Sequence, residues 1–339
     1  MGRKNKKKIN NKIKQTLIGL ALLVMLFVLS ETGILSKIDE AIANTGLANI
    51  VDTSNTSVVS TIPTVKTNTE IIEKVSENIV IDQNKLNILF FDVGQADSEL
   101  ILYKGKSILI DAGNSGDGEY IVNGLNALGI KNLDYVIGTH VHEDHVGGMS
   151  LIIDSFEIGK FYLPYDSTTT TSYYKKILTS LTQKELEITE ANIGDKLYIE
   201  DITLEIMSVD NSEPDDANLS SIVVEISYGN LKYLFMGDAI EENEEARNWN
   251  DVDVLKVGHH GSNTSSSEKF LNQILPEIVV ISVGEGNSYG LPKEKVLNRF
   301  EKLGSTIYRT DEDGTIQIIS DGITNEVVKI DVNFDSSQN

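Results

Sequence analysis

The 339-residue sequence contains no cysteine, one tryptophan, five prolines and only five histidines. The lack of cysteine excludes both a disulfide framework and a zinc site with thiolate ligands. Any metal ion bound to this chain must therefore use histidine and carboxylate ligands. Because histidine is so scarce, the position of each one is informative.

Basic residues are also few, and they are unevenly distributed. The chain has 29 Lys and Arg against 51 Asp and Glu, and a formal net charge of −22. Seven of the basic residues lie in the first fourteen positions, so the remainder carries about −29. A negatively charged surface repels polyanions at long range, which argues against a protein that binds nucleic acid over a broad face.

The first 35 residues combine a basic head with an unbroken apolar run, Leu17–Leu29. This order is typical of an export signal or signal anchor whose basic end stays in the cytoplasm. The run is shorter than the ~20 residues of a comfortable span, which favours cleavage. However, the small-x-small site, Ala41–Ala43, lies far beyond the run, so we favour an uncleaved anchor. The sequence thus predicts a single-pass membrane protein with an extracytoplasmic domain, or a secreted protein if the signal is cleaved.

Residues 36–84 are rich in Thr, Ser, Asn and Val and have no sustained apolar period. This composition predicts a flexible extracytoplasmic linker, with one short helix over residues 69–78. From residue 85 to 335, short apolar runs alternate with Gly and Asp turns, which predicts one α/β domain of sheets covered by helices.

The strongest signal for chemistry is the segment Thr139–Gly148, which follows an apolar strand and contains three of the five histidines. Imidazole and carboxylate groups are ligands that zinc and manganese accept. At a strand end, His140 and His142 can point the same way, and the next turn swings Asp144 and His145 to a second point. One short loop can therefore serve two metal positions.

This segment resembles the His-x-His-x-Asp-His hallmark of the metallo-β-lactamase superfamily. The resemblance implies an αββα sandwich in which His140 and His142 bind one divalent ion and Asp144 and His145 bind another. It also implies that Asp238 bridges the two ions, and that Asp111 ends an early strand beneath the site. Two zinc or manganese ions are therefore the expected cofactors.

Further segments resemble the soluble domain of the ComEC competence proteins. They are Phe91–Asp97, Val257–Ser262, Asn287–Pro292 and Tyr308–Thr310 with Asp313-Gly314. This resemblance implies a phosphodiester substrate, most simply single-stranded DNA outside the cell. One of His259 and His260 could bind metal while the other protonates the leaving group, and the assignment is left open. Alternatively, one member of the pair only forms a hydrogen bond that holds the loop.

The chain departs from its relatives at two points. Leu291 stands where the relatives usually have a histidine, and in many hydrolases of the superfamily a late histidine completes the second metal site, so the second ion could be weakly held or absent in some conditions. No histidine lies between His145 and Asp238 to act as the family's middle metal ligand. Asp92, Asp97 or Asn218 are candidates to compensate.

Two nearby features have alternative interpretations. Ser265–Glu268 reads as a capping box whose free N–H groups could also hold an anionic oxygen. Lys256 reads as a surface lysine on an edge strand, although it could also add positive charge near the site.

The expected chemistry is hydrolysis by a metal-activated water, which Asp144 or Asp238 orients and for which His259 or His260 supplies the leaving-group proton. One alternative is a hydrolase of a small ester, phosphocholine or β-lactam-like substrate at the cell wall. Another is a tethered binding protein with a metal-poor site. The membrane, through the N-terminal segment, is the predicted partner besides substrate, and no protein partner is predicted.

Overall fold

The N-terminal region and a few short segments are not described by the computed structural model. It describes residues 72–74, 79–164, 169–212, 214–332 and 334. The predicted signal or anchor segment, residues 1–35, and most of the predicted linker lie outside the described residues. Among the described residues, no helix is both long and apolar enough to cross a membrane.

The described residues form seventeen strands and eight α-helices. The strands are β1 (Ile72–Lys74), β2 (Val80–Asp82), β3 (Leu86–Phe90), β4 (Glu99–Tyr103), β5 (Lys106–Ile110), β6 (Asn132–Ile137), β7 (Glu157–Tyr162), β8 (Ile188–Thr189), β9 (Lys196–Ile199), β10 (Ile202–Ser208), β11 (Val223–Tyr228), β12 (Leu231–Phe235), β13 (Val254–Lys256), β14 (Ile278–Ile281), β15 (Thr306–Arg309), β16 (Thr315–Ser320) and β17 (Asn325–Ile330). The helices are α1 (Gly118–Ala127), α2 (Glu143–Val146), α3 (Met149–Ser155), α4 (Ser172–Gln183), α5 (Glu241–Glu245), α6 (Glu268–Ile274), α7 (Glu294–Leu303) and α8 (Thr310–Asp313). Short 3-10 segments occur at Ala217–Ser220 and Gly258–Gly261.

Packed structure begins before residue 85. Ile79 and Ile81 are buried in the apolar cluster that lies under α1, α3 and α4. Instead of the short helix predicted over residues 69–78, β1 pairs with β2 in antiparallel register, with Ile72 opposite Asp82.

Two mixed sheets make up the centre of the domain. The first has the order β17-β16-β3-β4-β5-β6-β7-β8, and the second has the order β15-β14-β13-β12-β11-β10-β9. Within each sheet, one half is antiparallel and the other is parallel: β5 to β8 in the first, and β12 to β15 in the second.

Three separate apolar clusters show that the sheets are stacked and that each is covered by helices. The cluster between the sheets includes Ile88 and Phe90 from one side and Phe235 from the other, with the two phenyl rings 6.0 Å apart. Another cluster lies under α1, α3 and α4, and a third lies under α6 and α7. Strands that are buried on both faces read as continuous apolar runs, which explains the pattern of β3 and β5. The predicted αββα sandwich is confirmed.

The loops that follow four parallel strands meet at one end of this sandwich. Asp111 follows β5, the histidine segment follows β6, Asp238 follows β12, and the His259-His260 pair follows β13. The carboxyl ends of parallel strands are where α/β proteins bind ligands, because the loops there converge on a crevice. The fold thus brings together residues that lie up to about 150 positions apart in the chain.

Candidate metal centre

The first ligand group, meaning side chains that could hold one metal ion, consists of His140, His142 and Asp238. Each of these residues offers one ligand atom, and the three atoms lie within 4.8 Å of one another. His140 Nε2 lies 3.0 Å from His142 Nδ1 and 3.9 Å from Asp238 Oδ2. His140 is buried, whereas the side chain of His142 is partly exposed.

The second ligand group consists of Asp144, His145 and His260, again with ligand atoms within 4.8 Å of one another. His260 Nε2 lies 3.3 Å from Asp144 Oδ2 and 3.7 Å from Asp238 Oδ1. His145 Nε2 lies 3.2 Å from the same Asp238 oxygen. The structure therefore places His260, rather than His259, with the predicted ligands of the second ion.

Asp238 lies between the two groups and turns one oxygen toward each. Oδ1 faces His145 and His260, while Oδ2 faces His140 and His259. A carboxylate in this position can bridge two cations because each oxygen can bind one of them. Its backbone N–H donates to the Ser221 hydroxyl at 3.2 Å, which fixes the turn after β12.

Several ligand atoms at this centre are buried and make no hydrogen bond of good geometry, although they face other ligand atoms at 3.2 to 3.7 Å. They are His145 Nε2, His260 Nε2 and Asp238 Oδ1. Buried polar atoms are normally satisfied, and leaving one unsatisfied costs about 1–3 kcal/mol. Nitrogen and carboxylate oxygen atoms that converge in this way fit divalent ions, so the residues present match the cofactors that the resemblance implies.

Asp111 orients His145 from beneath the centre. Asp111 Oδ2 lies 2.7 Å from His145 Nδ1 and accepts a hydrogen bond from the Thr139 hydroxyl. Asp111 Oδ1 accepts from the backbone N–H of Thr139. Because an ionised carboxylate only accepts, Nδ1 must carry the proton, which leaves Nε2 directed at Asp238. A carboxylate behind a ligating histidine fixes the ring in just this way.

His259 and His260 leave β13 in opposite directions. Both have left-handed backbone conformations, with φ of 51°, which is uncommon for residues other than glycine. His260 turns inward and lies 2.9 Å from the Ser282 carbonyl through Nδ1. The His259 side chain is 27% exposed, and its Nδ1 contacts the Thr264 hydroxyl at 2.8 Å. The chain reversal thus places His260 in the interior and His259 on the solvent side.

The residues considered as replacements for missing histidines have different environments. Leu291 is half-buried and packs against the apolar cluster under α6 and α7, so this position adds no ligand. Asp92 is exposed and accepts from the Gly94 N–H. Asn218 is buried, and its amide oxygen has no hydrogen-bond partner. Asp97 is also buried, and one of its oxygens lies within 4.8 Å of ligand atoms of Asp238 and His260.

The N–H groups at the N-terminus of α6 bind an anionic group of the protein itself. The helix begins at Glu268, with Ser267 as the capping residue, rather than with a box that starts at Ser265. The buried carboxylate of Glu244 accepts from the N–H groups of Ser266 and Ser267. The protein therefore supplies its own anion at this helix end, so the anionic oxygens that these N–H groups hold belong to Glu244.

Lys256 is also not where the sequence suggested. It lies on an internal strand of the second sheet and is buried, with 1% exposure. Its pairing with Asp97 is the contact that sequence reasoning missed, because the two residues are 159 positions apart.

The carboxylates create a strongly negative potential at the centre. Burial disfavours the protonated form of His260, but Asp238 and Asp97 outweigh this effect and raise its pKa to about 10. Burial likewise opposes protonation of His145, yet Asp238 and Asp111 hold its pKa well above the ordinary value. For His140, burial and the neighbouring His145 lower the pKa well below the ordinary value. The same potential that favours protons on two of these rings favours metal cations.

Metal uptake is therefore expected to release protons. At neutral pH the raised pKa values keep His145 and His260 protonated in the metal-free protein, whereas a ligating imidazole must be neutral. Apparent affinity should fall as the pH falls, by about tenfold per pH unit for each proton displaced. Calorimetric titration with Zn²⁺ in two buffers that differ in ionisation enthalpy measures the release, and equal heats in both buffers would contradict it.

Comparisons with known proteins agree with this geometry. A family model described as the metallo-beta-lactamase superfamily matches residues 91–285. ComE operon protein 3 of Bacillus subtilis is 31% identical over 249 residues, which cover 67% of this chain and 32% of that protein. Recombination protein 2 of Haemophilus influenzae is 31% identical over 67% of this chain and 28% of its own length. Competence protein ComA of Neisseria gonorrhoeae is 29% identical over 70% of this chain and 33% of its own length.

The matched part of the chain spans about a third of the length of these relatives. The predicted resemblance to competence proteins is confirmed.

Proposed function

The chain belongs to the metallo-β-lactamase superfamily, and on that premise we propose that it is an extracytoplasmic, metal-dependent phosphodiesterase. The observation that carries the proposal is the meeting of two ligand groups at Asp238. His140 and His142 lie on one side of this carboxylate, and Asp144, His145 and His260 lie on the other. The extracytoplasmic location rests on the basic and apolar N-terminal segment, residues 1–35.

Each group of side chains has a separate role in the proposed reaction. Two divalent ions, when bound, acidify a water and offset the negative charge that develops on the phosphoryl oxygen. Asp238 bridges the two groups, while Asp111 keeps the Nε2 atom of His145 directed at the centre. The side chain of Asp144 is 31% exposed, so it can accept a hydrogen bond from an incoming water molecule.

His259 is the proposed proton donor to the leaving group. It lies on the solvent side of the centre, with Nε2 3.7 Å from Asp238 Oδ2. Imidazole is the side chain most often used for this task near neutral pH. His260 is buried among the ligands and is assigned to metal binding instead.

A phosphodiester substrate is supported by the chemistry of the centre and by the relatives. Recombination protein 2 has a name that refers to a process acting on DNA. The carboxylate-rich centre suits a phosphodiester because bound cations reverse the repulsion of an acidic protein over short distances. Single-stranded DNA outside the cell is the proposed substrate.

The acidic surface supports a second candidate function. A net charge of −22 disfavours a long polyanion but has little effect on a small ester, a phosphocholine ester or a β-lactam-like amide. A tethered binding protein with a poor metal site is the third candidate. The two groups of nitrogen and oxygen ligands that meet at Asp238 count against it.

The test is a substrate panel with the purified, zinc- or manganese-loaded protein. The panel contains bis-p-nitrophenyl phosphate, a single-stranded oligonucleotide, p-nitrophenyl phosphorylcholine and nitrocefin. We expect cleavage of bis-p-nitrophenyl phosphate and of the oligonucleotide, and we expect no cleavage of nitrocefin. For the oligonucleotide, kcat/KM should rise as salt increases from about 10 mM to about 150 mM, because the Debye length falls from about 30 Å to about 8 Å and screens the repulsion.

The salt series carries its own control. Bis-p-nitrophenyl phosphate has a single charge, so its kcat/KM should change little over the same range. Cleavage confined to phosphorylcholine or nitrocefin would support the small-substrate alternative and contradict the proposal. Absence of bound ions together with absence of turnover would support the binding protein.

A further inference from the structure

One buried charge near the metal centre has no part in the chemistry proposed above. Lys256 ends β13, between β12 and β14 of the second sheet, and is only 1% exposed. A buried ammonium is costly unless it is paired and hydrogen-bonded. Its position directly precedes the turn that carries His259 and His260.

The partners of Lys256 belong to the other sheet. Its Nζ donates to Asp97 Oδ2 at 2.6 Å and lies 3.8 Å from Glu99 Oε1, and Glu99 begins β4 of the first sheet. The ammonium also donates to the carbonyl of Val257 at 3.2 Å. The ion pair therefore joins the two sheets at the end of the sandwich where the ligand groups lie.

Asp97 in turn contacts each member of the second ligand group. Its Oδ1 lies 3.3 Å from His260 Nδ1, and its Oδ2 lies 3.9 Å from His145 Nδ1. Its backbone N–H donates to the carbonyl of Asp144 at 3.0 Å. The position of this one residue thus affects two rings and the backbone of the third ligand.

We propose that Lys256 is a built-in cation that holds Asp97 beneath His145 and His260 and thereby positions the second ligand group. Asp97, Asp111 and His145 form a set that could itself attract a metal ion. The ammonium already supplies positive charge to this set of three residues. Divalent ions therefore bind at the two groups around Asp238 instead. Lys256 and Asp97 are positioning residues, and the inference rests on the proposed function because it assumes a two-ion centre.

The experiment compares the full chain with Lys256→Met, Asp97→Asn and the double variant. Each single change removes the shortest ion pair of a buried charge, leaving Lys256 with only Glu99 at 3.8 Å in Asp97→Asn, so we expect both single variants to melt at lower temperature. The double variant removes both charges and should recover most of the melting temperature. Its affinity for the second Co²⁺ ion should nevertheless remain about 10–100-fold weaker, as is usual when a residue behind a metal ligand is removed.

Co²⁺ titration followed by visible absorbance, together with metal content by mass spectrometry, gives readouts other than activity. Lys232→Met is the matched control, because it removes an ion pair of 2.6 Å with Glu225 at the end of β12 far from Asp238. This control should bind both ions as tightly as the unchanged protein. The proposal is overturned if the double variant also binds the second ion with unchanged affinity, or if it loses both ions equally. If the unchanged protein binds no ions, the proposed function fails first, and this inference fails with it.

Discussion

The double variant His142→Ala/Asp144→Ala is expected to lose hydrolysis down to the rate of the buffer while it remains folded. It removes one ligand from each group, so neither ion keeps its full set of protein ligands. Both side chains reach the solvent side of the centre, so their loss leaves no large internal cavity. Without added metal, the free energy of unfolding should change by less than about 1 kcal/mol.

The measurements are turnover of bis-p-nitrophenyl phosphate, bound metal per chain and thermal unfolding by circular dichroism. Glu143→Ala is the matched control because Glu143 lies between the two altered residues and hydrogen-bonds the Ser115 hydroxyl instead of a ligand. The control should keep both ions and activity. Undiminished turnover in the double variant would refute the metal-dependent mechanism.

Removal of the ions is expected to abolish activity and lower the melting temperature. The centre contains four buried or half-buried aspartates, which are Asp97, Asp111, Asp144 and Asp238. Only the folded protein brings the ligands together, so an ion present at a hundred times its dissociation constant stabilises the fold by about 2.7 kcal/mol. For a domain of this size, that corresponds to about 5–10 °C per ion.

The experiment is dialysis against EDTA followed by thermal unfolding, and then addition of Zn²⁺ or Mn²⁺ separately. Recovery of both the melting temperature and turnover identifies the ion that the centre uses. The His142→Ala/Asp144→Ala variant provides the control, since its melting temperature should hardly respond to EDTA. An unchanged melting temperature in the unaltered protein would show that the centre does not bind ions in the folded state.

The convergence of the candidate ligands was partly predictable because four of them are close together in the chain. His140, His142, Asp144 and His145 occupy six consecutive positions after an apolar strand, and the structure divides them between the two predicted groups. The most apolar strands were also predictable, because burial on both faces leaves a continuous apolar run. The short strands β8 and β15 lack such a run, and their place in a sheet depends on the parallel neighbours β7 and β14.

The sequence favoured a surface position for Lys256, which was wrong, and it did not reveal which anionic oxygen the N–H groups before α6 hold. Both outcomes depend on a partner that is distant in the chain. The N–H groups before α6 are occupied by Glu244, which comes from a different part of the chain. Lys256 is buried because Asp97 reaches it from the other sheet. A charged residue is assigned to the surface by default, and only knowledge of its partner can reverse that assignment.

The amino-acid sequence alone determined the class of chemistry, since the absence of cysteine and the grouping of histidines left nitrogen and carboxylate ligands as the available donors. It also determined the layered α/β architecture, because alternating apolar runs and turns are local properties of the chain. Only the tertiary structure decided that His260 joins Asp144 and His145, that His259 faces the solvent, and that Lys256 lies beneath them. These assignments depend on how two sheets stack and where their loops end, and contacts between residues more than a hundred positions apart leave no local pattern in a single sequence.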